Sequence, residues 1–527
     1  MAMYDSEVVN FKIGDIKSGD ISTGHRFLAP REFKVSNLKS YLDKSLKRYV
    51  IVDRKEREKI ILKGAKSLAS SVKGSLIMDE GLLETTVSMT EYPFPILGGF
   101  EKKYLKLPKE LLIEVIKKHQ KCFTIADTKG NLLPYFVVVS NNRSTKPKLV
   151  RKGYEKVVRA RFADAEYFYA NDRSEPLEHY NSKLSKVVWQ DKLGTLAEKV
   201  DRVKLLAAYI AELLDPSLKE SAVRAAHLSK ADLMTQVVYE FPELQGIMGR
   251  DYAGSSKEER EVSEALFEQY LPRFAGDKLP STKIGAILNV ADKIDSIVGC
   301  FGVGLIPSGS EDPLALRRQS LAVMNIIMKN KWDFSLSNII IRAIECYGAK
   351  LTRNSDEIQR DIRGFFISRL KNQLTAGGVE YDVIDGVFAA SFDHLTDDIE
   401  KVKAVASLKK EPYFESLAVT FNRVGNILKG VDSLPEVSPQ LFRDDAEKAL
   451  YRSLINVENK VSSLYNRGEY KGALKEVVAV RETVDLFFDG VMVMDKEPTV
   501  RDNRLSLLKR VSSLFSGIAD FSKLVVK

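Results

Sequence analysis

The sequence is poor in cysteine and histidine, and neither residue forms a local ligand pattern. Its 527 residues include three cysteines and no CxxC pair, which excludes a disulfide scaffold and a zinc ribbon. No two of the five histidines stand three or four residues apart; they are His25, His119, His179, His227 and His394. Local zinc sites are built from closely spaced ligands, so the sequence predicts no metal site of that kind.

Long apolar runs and compositional bias are also missing. The stretches LPYFVVVS and GAILNVA are far shorter than a membrane-spanning helix, and the first residues show no secretory signal. With 31 glycines, 17 prolines, 44% apolar and 29% charged residues, the composition is that of ordinary globular domains. These features predict a cytoplasmic protein. The net charge of +9 permits nucleic-acid binding without establishing it.

The predicted fold class is α+β with several domains. We expect a mixed α/β domain over 1–180, a helical domain over 181–330, a helical linker region over 331–410 and a helical bundle over 411–527. A hairpin is expected around DTKG at 127–130, because β-branched and aromatic stretches flank this turn.

Capping and helix-breaking residues predict the ends of several helices. One helix is expected between Ser221 and Pro242, and another between Ser281 as its cap and Gly299 as its end. Thr499 and Asp502 have the spacing of a capping box. The apolar stripe of this last helix consists of Leu507, Leu508, Val511, Leu514 and Phe515.

The sequence has neither a GxSxG nor a GxxxxGK[ST] motif. Three glycines precede a predicted helix start at Asp312–Pro313, and Arg317 and Arg318 lie one turn inside that helix; the glycines are Gly302, Gly304 and Gly309. A glycine-rich loop before a helix can hold phosphate. The spacing is not that of a phosphate loop, however, and it favours a tight turn with Asp312 as the cap.

Three carboxylates could bind a divalent ion if the fold brought them together. Asp292 and Asp295 share a helix face, and Asp232 stands sixty residues earlier. The alternative is that they cap helices or pair with basic neighbours such as Lys293 and Arg273. The absence of nearby histidines favours that alternative.

Basic residues cluster between 143 and 161, with Tyr154, Phe162 and Tyr167 among or near them. The cluster comprises Arg143, Lys146, Lys148, Arg151, Lys152, Lys156, Arg159 and Arg161. Phosphate attraction combined with stacking aromatics is typical of RNA binding, although a solvated charged face fits equally. Near the C-terminus, Arg504 falls on the apolar arc of its helix, so it needs a partner, either an internal acid such as Asp520 or a phosphate.

Several long stretches are more specific than these motifs. They are YEFPELQGIMGRDYA at 239–253, YLPRFAGDKLPSTKIGAILNVADKIDSIVGCFGVGLIPSGSEDPLALRR at 270–318, FFDGVMVMDKEPTVRDNRLSLL at 487–508, TGHRFLAP at 23–30, HQKCF at 119–123 and GYEKVVRARFADAEYFY at 153–169. Together they resemble the β subunit of the bacterial heterotetrameric glycyl-tRNA synthetase over almost the whole chain.

The resemblance implies a division of labour between two kinds of subunit. The β subunit would bind glycine tRNA, and an α subunit would carry the aminoacylation site with ATP and Mg²⁺. The expected assembly is an α2β2 tetramer, and this chain itself would carry no catalytic residue, cofactor or metal. The family usually begins with a further N-terminal domain, opening with a stretch like LLLEIGTEEIP, which this sequence does not contain. We expect that difference to affect α-subunit docking and tRNA affinity.

The family's helical middle domain is related to the HD phosphohydrolases, which hold a metal with a His, a His-Asp doublet and a later Asp. Ser229 and Lys230 stand at the doublet and Asp292 at the later position, which implies a metal-free domain because a lysine repels a metal ion. Two alternatives stay open. One is a stand-alone HD-type metal-dependent phosphohydrolase that acts on nucleotides or RNA. The other is a helical scaffold that never touches RNA.

The last domain resembles the DALR-type helical anticodon-binding domain of other synthetases. The implied tRNA contacts on its final helix are Arg501, Arg504, Lys509 and Arg510. To these we add the basic residues of the two regions discussed above, which are Arg317, Arg318, Arg151, Lys152, Arg159 and Arg161.

Overall fold

The computed structural model describes residues 1–4, 6–309, 311–431 and 433–525. The chain forms two compact units. The first contains residues 1–181 and 230–258, and the second contains residues 182–229 and 259–527. The first unit mixes strands with helices and the second is almost entirely helical, so the predicted α+β class is confirmed. The finer division into four domains stays a prediction.

The first unit begins with three two-stranded antiparallel ribbons. Their strands are β1 (Met3–Tyr4) with β2 (Glu7–Val8), β3 (Lys12–Ile13) with β4 (Ile16–Lys17), and β5 (Ile21–Thr23) with β6 (Glu32–Lys34). Helix α1 (Leu38–Leu46) follows, and the side chain of Asn37 caps it by accepting the Ser40 N–H.

A four-stranded antiparallel sheet packs against helices in this unit. Its elements are α2 (Arg54–Ser71), β7 (Ser75–Leu76), α3 (Glu80–Met89), β8 (Phe94–Gly99), α4 (Lys109–Gln120), β9 (Phe123–Ala126) and β10 (Leu132–Ser140), with strand order β7-β9-β10-β8. The core contains Ile61, Leu83 and Val137. The predicted hairpin at 127–130 is confirmed, because Asp127 accepts the N–H groups of Lys129 and Asn131 and thereby shapes the turn.

The next elements carry the chain from one unit to the other and back. They are α5 (Pro147–Asp172), β11 (Val188–Gln190), β12 (Gly194–Thr195), α6 (Leu196–Leu214), α7 (Lys219–Leu228), α8 (Gln236–Glu240), α9 (Ile247–Ser255), α10 (Arg260–Glu268) and α11 (Lys283–Gly302). Helices α8 and α9 belong to the first unit, whereas α6, α7, α10 and α11 belong to the second. A capping box formed by Thr195 and Glu198 starts α6.

Two of the predicted helices have different ends. The prediction of a single helix between Ser221 and Pro242 is wrong. The helical hydrogen bonding is interrupted by a 3-10 turn over Ala231–Met234, and a new helix, α8, begins after its cap Thr235. Helix α11 starts after Thr282 rather than Ser281 and continues past Gly299. A Cβ at Gly299 would lie 2.2 Å from the Tyr347 hydroxyl, so this glycine permits close packing rather than ending the helix.

The remainder of the second unit is helical. Its helices are α12 (Leu316–Asn330), α13 (Leu336–Tyr347), α14 (Ser355–Ala376), α15 (Tyr381–Ala390), α16 (Leu395–Leu408), α17 (Phe414–Ile427), α18 (Asp445–Asn466), α19 (Tyr470–Val478), α20 (Arg481–Gly490) and α21 (Pro498–Ser513). The predicted apolar stripe of the last helix is buried as expected. The predicted Thr499–Asp502 capping box is wrong, because Glu497 precedes the helix, Thr499 donates to Glu497, and Asp502 pairs with Arg501.

Helix α11 is the centre of the second unit and is buried on almost all sides. Its fully buried Asp295 accepts hydrogen bonds from the Lys199 ammonium at 2.9 Å and the Arg202 guanidinium at 2.7 Å. Lys199 also lies 3.3 Å from Asp292. Burial alone would lower the pKa of Lys199, but the two carboxylates outweigh burial and raise it. The cluster formed by Lys199, Arg202, Asp292 and Asp295 therefore ties α6 to α11.

Replacing Asp295 with Asn should destabilise the second unit by about 3–5 kcal/mol, because it leaves two buried cations short of a carboxylate. Thermal denaturation of the full chain measures the effect as a lower transition midpoint. Asp201→Asn is the matched control, since Asp201 is an exposed acid on α6. Equal midpoints for the two variants would contradict this role of Asp295.

Candidate nucleic-acid interface

The basic residues predicted on α5 lie at the surface of the first unit. Arg151 pairs with Glu155 at 2.8 Å, Arg159 with Glu101 at 3.0 Å, and Arg161 with Asp164 at 3.7 Å. Exposed ion pairs of this kind are weak, so these guanidinium groups can exchange a carboxylate for a phosphate at little cost. Lys152 is exposed and has no ion pair within the described ranges.

Of the three aromatic residues predicted to accompany this cluster, Phe162 is unable to stack on a base. Its side chain is fully buried and packs against Phe100 and Tyr104, at ring-centroid distances of 4.9 and 5.2 Å. It anchors α5 to the first unit instead. Tyr154 is half-buried, and Tyr167 is 66% exposed. Tyr167 is therefore the aromatic side chain of this set that is open to a ligand.

The glycine-rich loop before α12 forms the capped turn that the sequence favoured. Helix α12 begins at Leu316 rather than at Pro313, and the Asp312 carboxylate accepts the N–H groups of Leu316 at 2.7 Å and Arg317 at 3.0 Å. A phosphate bound at this helix start would need these same two N–H groups, and the Asp312 carboxylate already accepts them. Arg317 donates to the Gly309 carbonyl, and Arg318 to the Arg273 carbonyl.

Arg504 of α21 is buried and paired inside the C-terminal bundle. Its guanidinium donates to Glu447 at 2.7 Å and to Asp495 at 2.8 Å. The internal partner suggested from the sequence, Asp520, is wrong, because that carboxylate caps the 3-10 turn over Phe521–Lys523. Glu447 is 57 residues away from Arg504 and fully buried, so local sequence patterns do not reveal the pair. Arg504 thus connects α18 to α21.

The other three basic residues of α21 are more accessible. Arg510 makes a two-pronged ion pair with Glu458 and lies 5.1 Å above the Tyr451 ring. Arg501 pairs with its neighbour Asp502 at 2.9 Å. Lys509 is exposed and makes no ion pair in the part of the chain that the structure describes. Lys509 and Arg501 are therefore the residues of this helix most open to phosphate.

The carboxylates considered for a metal site are engaged elsewhere. Asp232 accepts the N–H groups of Gly246 at 2.6 Å and Gly249 at 3.1 Å, and burial raises its pKa to about 6. Asp292 and Asp295 pair with Lys199, a basic residue of α6. Across the described residues, no group of three or more His, Cys, Asp or Glu side chains could hold a metal ion.

Sequence reasoning missed one group of polar residues, on α17. Asn422, Gly425 and Asn426 of α17, and Lys429 after its end, line an open pocket together with residues that end or follow α21. A signal was present in the sequence FNRVGNILK, where small and polar residues recur at helical spacing beside the apolar face. Further, none of the described helices is both long and apolar enough to cross a membrane.

Two family models match the chain, and together they define a class of protein. The DALR anticodon binding domain matches residues 417–520, which contain α18 to α21 and most of α17. The glycyl-tRNA synthetase beta subunit matches residues 1–389. These matches place the chain among the subunits of aminoacyl-tRNA synthetases.

Curated relatives match over the whole chain. The glycine–tRNA ligase beta subunit of Syntrophus aciditrophicus is 44% identical over 527 residues, which are 100% of this chain and 76% of the relative. The proteins of the same name from Syntrophotalea carbinolica and Trichlorobacter lovleyi are 45% and 43% identical over 525 residues, 99% of this chain and 76% of each relative. The chain belongs to the glycyl-tRNA synthetase β-subunit family.

We predict that Arg504→Ala destabilises the C-terminal bundle by about 3–5 kcal/mol, because it leaves Glu447 buried without its cation. Lys509→Ala on the same helix should leave stability unchanged, since Lys509 is exposed. Thermal denaturation of both full-length variants checks this. If both melted like the unsubstituted chain, Arg504 would not be a structural residue.

Proposed function

We propose that this chain is the tRNA-recognising subunit of a glycine–tRNA ligase and that a separate α subunit forms the bond between glycine and tRNA. The observation that carries the proposal is the anticodon-binding domain match over the C-terminal bundle, in a chain whose full length aligns with glycine–tRNA ligase beta subunits. ATP and Mg²⁺ bind at the α subunit. The assembly is an α2β2 tetramer in the cytoplasm.

The chain's own residues supply recognition rather than bond formation. Exposed cations on α5 and α21 attract phosphates, and phosphate contacts position a nucleic acid without reading its sequence. Unpaired bases of the anticodon loop supply the sequence information, because their edges are free for hydrogen bonding. The buried ion pair between Arg504 and Glu447 keeps α21, the helix that carries Arg501 and Lys509, in place.

No observation favours the alternative phosphohydrolase. A metal beside Asp292 and Asp295 would compete with the Lys199 ammonium, which contacts both carboxylates. A metal ion and the Lys199 ammonium are both positive, and like charges that share a buried site repel strongly. The proposal for this helical region is therefore a structural support for tRNA recognition.

Filter binding of transcribed glycine tRNA to the full chain tests the proposal. We expect the logarithm of the affinity to fall linearly with the logarithm of salt concentration, because phosphate binding releases counterions. Lys509→Ala should weaken binding several-fold and reduce the salt slope by about one. Lys63→Ala, which removes an exposed lysine of α2, is the matched control.

Competition with bulk tRNA provides the result that could refute the proposed function. The proposal predicts that the full chain retains glycine tRNA against an excess of other tRNAs. Equal displacement by bulk RNA, with no effect of Lys509→Ala, would leave a basic surface without recognition and would refute the proposal.

A further inference from the structure

The positive charge of the chain is concentrated in the first unit. This unit holds 36 lysine and arginine residues against 28 aspartate and glutamate residues, so it carries +8 of the chain's net charge of +9. The second unit is therefore close to neutral. A surface with a net positive charge attracts polyanions, and the attraction reaches about 8 Å at physiological ionic strength. The first unit is thus the place to look for a polyanion surface outside the C-terminal bundle.

Four cations of this unit form a ridge along α5. They are Lys148, Lys152, Lys156 and Arg159, which follow one another at intervals of four, four and three residues, and all four are exposed. At 3.6 residues per turn, this spacing places them within roughly a quarter of the helix circumference and along about 16 Å of its length. Arg159 pairs with Glu101, but none of the three lysines has an ion pair within the described ranges. Like charges one turn apart repel, so an anion that binds along the ridge relieves that repulsion.

The surface beside the ridge is low. Its exposed side chains are small or short and apolar, and they belong to Gly153, Val157, Ala160 and Ala163. A Cβ at Gly153 meets no atom within 4 Å. Leu149, which is 65% exposed, lies in the first turn of this face, and the nearby acid Asp164 pairs with Arg161 at 3.7 Å. A ligand can therefore approach the backbone of α5 closely along most of the ridge.

The ridge lacks a platform on which unpaired bases could stack. Tyr154 is half-buried and lies on the opposite side of the helix from the lysines, and the exposed Tyr167 follows Arg159 by two turns. Proteins that hold single-stranded RNA combine cations with stacking aromatics. Double-stranded RNA keeps its bases stacked inside and is recognised through its shape, phosphates and 2′-hydroxyl groups. The arrangement on α5 therefore fits a duplex better than a single strand.

We propose that the outer face of α5 binds a double-stranded stem of the tRNA, which deepens the function proposed above and rests on it. Lysine ammonium groups are compact point charges that can contact phosphates from many directions. Such contacts position the tRNA on the first unit and read no sequence. An acidic protein surface has the same sign of charge, but the evenly spaced phosphates of a duplex match the evenly spaced lysines, so the RNA duplex is the better partner.

An RNA duplex of about 16 base pairs, with a sequence unrelated to glycine tRNA, tests this surface. Filter binding of the duplex to the full chain is compared with binding of one of its strands alone. We expect Lys152→Ala and Lys156→Ala each to weaken duplex binding several-fold and to reduce the salt slope by about one, because each removes one phosphate contact. Neither variant should weaken binding of the single strand.

Lys39→Ala is the control for the loss of one positive charge. Lys39 is an exposed lysine of α1 in the same unit, and the structure shows no ion pair for it among the described residues. We expect this variant to bind the duplex like the unsubstituted chain. Transcribed glycine tRNA should follow the duplex, with weaker binding to Lys152→Ala and Lys156→Ala and unchanged binding to Lys39→Ala.

The outcomes separate this surface from the wider function. If the unsubstituted chain prefers glycine tRNA but Lys152→Ala and Lys156→Ala bind the duplex as tightly as it does, the stem proposal is overturned and the proposed function stands. Equal losses for the duplex and the single strand would show a general polyanion surface and would also overturn the stem proposal. If the unsubstituted chain has no preference for glycine tRNA over bulk RNA, both proposals fail together.

Discussion

The second unit depends on how it neutralises the charges buried beside α11. Two cations, Lys199 and Arg202, contact two carboxylates, Asp292 and Asp295, so each of these four charges has a partner. Without those partners, the cost of removing the charged groups from water would exceed the free energy gained by packing. The same contacts fix α6 on α11 and place the Lys199 ammonium beside both carboxylates, where it would oppose a metal ion. One interaction therefore supports the fold and argues against metal chemistry at this place.

The C-terminal bundle uses a similar arrangement. Arg504 joins α21 to α18 through Glu447 and to the segment before α21 through Asp495, while Lys509, one and a half turns further along α21, faces solvent. Basic residues on one helix thus have two different roles. The buried guanidinium holds the bundle together, and the exposed ammonium is open to solvent.

The sequence predicted the features that depend on local pattern. The hairpin at 127–130 and the apolar stripe that ends at Phe515 follow from turn chemistry and helical spacing, and both are confirmed. Features that depend on distant partners were missed. The helix break near Asp232 is held by N–H groups of Gly246 and Gly249, and the partner of Arg504 is Glu447, which no local rule connects to it. The long sequence matches indicated the family, whereas the burial of each basic residue required the structure.

The central claim is that this chain recognises tRNA while glycine is activated on another subunit. Glycine-dependent exchange of pyrophosphate into ATP measures activation directly and requires no tRNA. The claim predicts no exchange above background for this chain alone, and exchange once the α subunit is added. Exchange by the isolated chain, lost on addition of a glycine-adenylate analogue, would contradict the claim.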